Sequence, residues 1–213
     1  NGKTAIAETI GNTLPGTVNI PYSIIVGGQI INIFDPVNHV PVEVDKKDDE
    51  VDQRWVLIKR PVVMTGGELT LKMLDLEYNP ISKFYTAPLQ MKANNGLFIV
   101  DDFGRQQITP QNLLNRWIVP LERRVDFLSL PTGTKFDIPF DQLTVFSTNI
   151  EPRKLVDEAI LRRIRYKIKI DHPTREDYEA IFKLVCRTYG VEFDKGVFDR
   201  LIKNYYEKHG VSL

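Results

Sequence analysis

Leu97-Phe98-Ile99-Val100-Asp101-Asp102 sets four apolar residues against two adjacent carboxylates. An uninterrupted apolar run of this kind, opened by Gly96, fits a strand buried on both faces, as at the centre of a parallel sheet. The acids then lie at its carboxyl end. A first carboxylate there can hold a water of a Mg²⁺ shell, and a second can orient or deprotonate an attacking water. Taken alone, the segment also reads as a polar strand end in a loop.

Three further stretches bear on that choice. Gly2-Lys3-Thr4 opens a helical pattern with apolar residues at Ala5, Ile6, Ile10 and Leu14, stopped by Pro15-Gly16. Phosphate-binding loops end in this way, because backbone N–H groups at a helix start cradle phosphate oxygens, the lysine meets the β/γ charge and the threonine ligates Mg²⁺. A strand and the first half of such a loop are expected upstream of Asn1. Leu143 to Ser147 is a second buried strand, tipped by Thr148-Asn149, whose amide can hold a γ-phosphate and a water together. Asp157 to Ile164 reads as a short helix carrying Arg162 and Arg163, either of which can reach a neighbouring subunit's phosphate or simply end a solvated helix.

The remaining pattern is that of an α/β protein. Val18 to Ile33 predicts a β-hairpin turning at Gly27-Gly28, and Asp45 to Asp52 a solvated loop. Trp55 to Ile58 and Pro61 to Met64 suit strands, and the stretch after Gly66-Gly67, GELTLKMLDL, reads as helical. Thr109 to Leu121 predicts a helix, and Phe127 to Phe140 a hairpin turning at Thr132-Gly133. Ile164, Tyr166, Ile168 and Ile170 alternate with basic residues, the pattern of an edge strand with one wet face rather than of a nucleic-acid patch. Beyond His172-Pro173 two helices are expected, the first capped by Thr174 and ended by Gly190, the second around Val197 to Tyr206.

Composition narrows the function classes. The chain has 213 residues, 28 basic and 28 acidic, so net charge gives no reason to expect nucleic acid or an anionic membrane as partner. No apolar run approaches the ~18 residues that span a bilayer. The single cysteine, Cys186, on an apolar helix face, is expected in the core. His39, His172 and His209 lack ligand spacing, so no metal other than Mg²⁺ is expected. The opening residues do not read as a signal peptide, and a cytoplasmic location follows as the expectation.

Taken in order, these motifs resemble those of the AAA+ ATPases: Gly2-Lys3-Thr4 the end of Walker A, LFIVDD Walker B, Asn149 sensor 1, and Arg163, rather than Arg162, the better match to the arginine finger. Residues 88–102 and 122–149 are similar to the corresponding stretches of magnesium-chelatase, MoxR-type and enhancer-binding ATPases, a group with an insertion in the second core helix and a hairpin before sensor 1. The resemblance implies a P-loop NTPase fold, a three-layer α/β/α core over residues 1–171 with a five-stranded parallel sheet. It also implies β-hairpin insertions, among them residues 17–60, and the start of a helical lid over 172–213. It implies ATP and Mg²⁺ as cofactors, with Gly2 and Lys3 at the phosphates, Thr4 and Asp101 on Mg²⁺, Asp102 on the water and Asn149 at the γ-phosphate. Arg163 would act in trans in a homo-oligomeric, hexameric ring. ATP hydrolysis coupled to remodelling of a protein client, chaperone-like by resemblance to MoxR-type relatives, is the function implied.

Two alternatives stay open. Asp102 stands where the family usually carries the longer glutamate, so a nucleotide-gated switch with negligible turnover is the first alternative. A DNA-acting or transcription-activating motor is the second, although Tyr78-Asn79-Pro80-Ile81-Ser82-Lys83 stands where a Gly-Ala-Phe-Thr-Gly-Ala loop would be needed.

Overall fold

Helix α1 (Lys3–Thr13) is followed by strands β1 (Thr17–Pro21), β2 (Ser23–Val26), β3 (Gln29–Asn32), β4 (Trp55–Lys59) and β5 (Val62–Thr65). A 3₁₀ turn at Leu71–Leu74 leads to β6 (Glu77–Asn79), β7 (Phe84–Thr86), the short helix α2 (Leu89–Lys92) and β8 (Leu97–Val100). Helices α3 (Pro110–Arg116) and α4 (Ile118–Arg123), hairpin strands β9 (Val125–Ser129) and β10 (Lys135–Pro139), and β11 (Leu143–Phe146) come next. The chain continues through α5 (Pro152–Leu155), α6 (Glu158–Leu161), α7 (Arg175–Thr188) and α8 (Lys195–Leu201). The computed structural model describes residues 2–43 and 52–210, so most of the loop expected over 45–52 lies outside the described residues. Two compact units are formed, Gly2–Tyr166 and Lys167–Leu213.

In the first unit β8 is the middle strand of a parallel sheet ordered β11-β8-β5, with Val100 level with Phe146 on one side and Thr65 on the other. All four β8 residues are buried, as the apolar run requires. Ala7 and Gly11 of α1 pack against one face of this sheet beside Leu97 and Ile99. Phe98, Val100, Trp117, Phe140 and Ile160 join the cluster on the other. Gly96 lets β8 start close to its neighbour, since a Cβ there would lie 2.0 Å from the Pro61 carbonyl oxygen.

Among the described residues this sheet has three strands rather than five. The expected edge strand, Ile164 to Ile170, forms no ladder, and Tyr166 and Ile168 stand 82% and 81% exposed. Alternation fixes which way side chains point, but a strand also needs a neighbour with free backbone groups.

The helix expected after Gly67 is also corrected, to a single 3₁₀ turn between extended residues Thr70 and Asp75. Tertiary bonds take its backbone: Gln107 N–H donates to Gly67 C=O and Ile108 N–H to Leu69 C=O. The helix expected over 109–121 breaks at Trp117, because Pro120 has no N–H to bond back to Arg116.

The segment 17–33 divides between two sheets. β1 pairs antiparallel with β4, and only β2 and β3 form the hairpin at Gly27-Gly28. β3 then runs parallel to β7, giving a four-stranded sheet β2-β3-β7-β6. Its inner face joins Leu128, Leu130 and Ile138 of the β9–β10 hairpin in a second apolar cluster with Ile31, Tyr85 and Met91.

The second unit is α7 and α8, continued by a π-helical stretch at Ile202–Glu207. Thr174 and Asp177 form a reciprocal capping box, and Gly190, with φ 66°, follows the end of α7. Phe182, Phe193, Phe198 and Tyr178 form its aromatic core. Tyr178 and Tyr206 share a 2.8 Å hydroxyl hydrogen bond, which with burial pushes the Tyr178 phenol up to about 12. Cys186 is half-buried rather than in the core, with Leu184 and Val185 beside it exposed.

Candidate functional site

Strands β8 and β11 end side by side, and α1 begins close to both carboxyl ends. Gly2 takes the N-cap position of α1 with φ 90°, a conformation that glycine adopts without steric cost. The first-turn N–H groups of such a helix have no intrahelical partner and favour an anion. Thr4 Oγ1 donates to the Asp101 carboxylate, 2.9 Å from Oδ2 and 3.1 Å from Oδ1. Lys3 Nζ donates to Asn149 Oδ1 at 2.8 Å, using one of its three donors. Asn149 Nδ2 in turn lies 3.5 Å from Asp102 Oδ1. Residues 146 positions apart in the chain thus meet in one polar group.

The loop after β8 is fixed by its backbone. Asp101 N–H donates to Thr65 C=O, and Phe103 N–H to Ser147 C=O at 2.7 Å. Thr148 Oγ1 donates to Phe103 C=O and accepts from Ile150 N–H. The Gln106 amide bridges the turn, donating to Asp101 C=O and accepting from Gly104 N–H. Asp102 is held left-handed at φ 48°, and Gly104 has φ 109° with no room for a Cβ, which would lie 2.6 Å from Leu155 Cδ2. Sequence reading missed Gln106. Its signal is a side-chain amide a few residues beyond the paired acids, at the distance a tight loop needs for closure.

The two arginines part company. Arg163, 27% exposed, is held by Glu122 at 2.6 Å and by the Ala159 carbonyl at 2.8 Å. Arg162 is 81% exposed, its ion-pair contact being Glu158 at 3.9 Å on its own helix. The structure therefore joins Gly2, Lys3, Thr4, Asp101, Asp102 and Asn149 and ties Arg163 to Glu122 instead. Glu122 could not be paired from sequence, since 41 residues separate it from Arg163.

A second polar group lies beside the four-stranded sheet. His39 is buried, its Nδ1 accepting from Asp35 N–H and its Nε2 donating to Lys92 C=O at 2.9 Å. Lys92 Nζ meets Asp35 Oδ2 at 2.7 Å. Burial pushes the His39 imidazole down, against the opposing pull of the Lys92 carbonyl. At Asp35 burial works upward, but Lys92, Val37 N–H and Asn38 together hold the carboxyl below its usual value.

The fold has a counterpart among solved structures. The chain is similar to a subunit in the complex of BchI and BchD of magnesium chelatase, with a TM-score of 0.54 and 17% identity, over 99% of this chain and 61% of that one. This likeness shows a shared α/β fold. The chain therefore spans about three fifths of that neighbour's length. NtrX from Brucella abortus in complex with ADP aligns with 62% of this chain and 31% of its own, at 16% identity and a TM-score of 0.44. A family model described as a domain of unknown function (DUF8689) matches residues 174–213. No curated protein matches the sequence. Among the described residues no helix is long and apolar enough to cross a membrane.

Proposed function

We propose that this chain is the nucleotide-binding module of an AAA+ ATPase that couples Mg²⁺-dependent ATP hydrolysis to remodelling of a protein client in a homo-oligomeric, hexameric ring. The observation that carries this reading is the convergence of Lys3, Thr4, Asp101, Asp102 and Asn149 on one helix start and two strand ends. Residues 1–171 serve as the core and 172–213 as the start of the lid.

The donors fit the cofactor. Thr4 Oγ1 and the two Asp101 oxygens form a hard, all-oxygen set of the kind that Mg²⁺ selects, and the α1 N-terminus with Lys3 suits a polyphosphate. When bound, Mg²⁺ neutralises phosphate charge and polarises the bond to be broken. Gly2 and Lys3 bind the phosphates. Thr4 and Asp101 orient oxygen ligands toward the metal, and Asp102 accepts a proton from the attacking water. Asn149 bridges Lys3 and Asp102 and so registers whether phosphate charge and water are both in place. Arg162, rather than the restrained Arg163, is the better-placed finger toward a neighbouring subunit.

Turnover is measured on the chain extended upstream through a complete phosphate loop and downstream through the lid, at several protein concentrations. Turnover that rises with concentration, and is lost in Lys3→Ala and Arg162→Ala, is the expected result. Unchanged nucleotide binding in Lys3→Ala would sink the site.

The left-handed backbone and short side chain of Asp102 also favour a second reading, a switch that binds nucleotide and hydrolyses almost none. Single-turnover rates separate the two, because Asp102→Glu should accelerate a switch and leave a competent hydrolase little changed.

A further inference from the structure

The turn after β8 presents the two acids, and its anchors are unevenly placed. Asp101 N–H donates to Thr65 C=O at 2.8 Å and Phe103 N–H to Ser147 C=O at 2.7 Å, while Phe103 C=O accepts from Thr148 Oγ1 at 2.7 Å. Neighbouring strand ends thus fix the backbone before and after Asp102. Arg105 N–H closes on Asp102 C=O at 3.0 Å. These bonds leave out one peptide, the one that joins Asp101 to Asp102. Among the described residues its partner is the Gln106 side chain, whose Nε2 donates to Asp101 C=O at 2.7 Å while its Oε1 accepts from Gly104 N–H at 2.8 Å.

That peptide decides how Asp102 is presented. Its rotation about the N–Cα bond of Asp102 is the angle φ, which stands at 48°, in the left-handed region that a residue with a Cβ rarely enters. In this conformation Asp102 Oδ1 lies 3.5 Å from Asn149 Nδ2, on the amide whose oxygen accepts from Lys3. Backbone in a sparsely populated region persists only where its surroundings over-determine it. Few side chains can supply that restraint here. An amide donates with one end and accepts with the other, whereas a carboxylate only accepts and a cation only donates. Gln106 is also half-buried, which limits the competition of water for both bonds.

We propose that Gln106 is a positioning residue for the acid pair: its amide holds the Asp101–Asp102 peptide, so that Asp102 keeps its left-handed backbone and its carboxylate stays beside Asn149. The proposal rests on the reading of Asp102 as the group that accepts a proton from the attacking water. Gln106 acts through Asp102 and not on the nucleotide. Affinity, which that reading gives to Gly2, Lys3 and Thr4, is therefore independent of it, while the step that needs a placed base is not.

The test compares the wild type with Gln106→Met, which keeps the length and loses both bonds, and with Gln106→Glu, which when ionised still accepts from Gly104 N–H but cannot donate to Asp101 C=O. In the 213-residue chain, the NOE between the Asp102 amide and α protons, strong only at positive φ, should be present in the wild type and lost in both variants, with the β8 amides keeping their shifts. In the extended chain, Gln106→Met should lower turnover about 10- to 100-fold with nucleotide Kd unchanged. It should have no further effect on Asp102→Asn, because a residue that acts through the base adds nothing once the base is gone. An NOE that survives Gln106→Met overturns the proposal whatever the turnover. Unchanged turnover overturns it too, as does a fall in affinity as large as the fall in turnover, the mark of a merely structural role. Faster turnover would overturn it by making the held conformation a restraint on Asp102. A wild type that binds nucleotide and turns none over refutes hydrolysis instead, and the NOE then decides whether Gln106 holds the turn.

Discussion

The strand-end site and the four-stranded sheet with its packed hairpin are built by opposite means. Lys3, Thr4, Asp101, Asp102 and Asn149 stand at the ends of regular elements and remain partly open to solvent, so their placement follows from where a helix starts and two strands stop. The four-stranded sheet and the β9–β10 hairpin share a buried apolar cluster, and Asp126 of the hairpin and His39 beyond β3 are buried polar residues. Position at termini makes a site adjustable, whereas burial makes a scaffold intolerant of change.

The sharpest way to break that contrast is Asp126→Ala. Asp126 is buried and accepts from the Arg116 guanidinium and the Gln90 amide, which also donate to Phe127 C=O and Leu74 C=O. Losing these charge-assisted hydrogen bonds should cost about 3–5 kcal/mol, read as a fall in the denaturation midpoint. Any nucleotide affinity of the chain that remains folded should be unaltered, and its loss would mean that the two regions are not separable. Lys3→Ala should do the reverse, lowering nucleotide affinity about 10²-fold for the loss of a charge-assisted contact while the melting curve barely moves. Gly104→Ala sits between them, since a Cβ must push on Leu155 and the left-handed backbone resists it. A cost of about 1–3 kcal/mol should come with weaker nucleotide binding, because the same turn holds Asp101 and Asp102; stability lost without any loss of binding would show that the turn does not position the acids.

The smallest effect is pH dependence in the segment that follows β3. Burial disfavours the imidazolium of His39, so the folded value lies below the ordinary 6.5, and the neutral ring accepts from Asp35 N–H. The stability this contributes is fully present above pH 6.5 and is lost as pH falls through the lowered folded value. Asp35, also lowered from 3.8, adds a loss at more acid pH in the same direction. Amide exchange at residues 35–39 should therefore speed up below pH 6.5 relative to α1. Equal acceleration in both would remove the distinction.

Much of the strand-end site was legible in sequence because each part is local. A glycine before a lysine and a threonine at a helix start, and acids after an apolar run, carry their meaning within a few residues. What was not legible is pairing across distance. Arg163 and Arg162 are neighbours with the same charge, and only Glu122 tells them apart by tying one down. His39 lacked any ligand spacing and turned out to anchor a loop, since its partners are a backbone amide nearby and a carbonyl 53 residues away. Ile164 to Ile170 showed the alternation of a strand but formed none, because periodicity describes one chain segment and a ladder needs two.

The sequence by itself determined the central buried strand, the helix start that presents Lys3 and Thr4, the two carboxylates and the hairpin turns, all set by short-range hydrophobic spacing and backbone freedom. The tertiary structure alone decided that Thr4 meets Asp101 and Lys3 meets Asn149, and that β3 joins β7. Those outcomes depend on which distant backbone and side-chain groups compete for the same partner, and that competition is resolved only when the apolar clusters close.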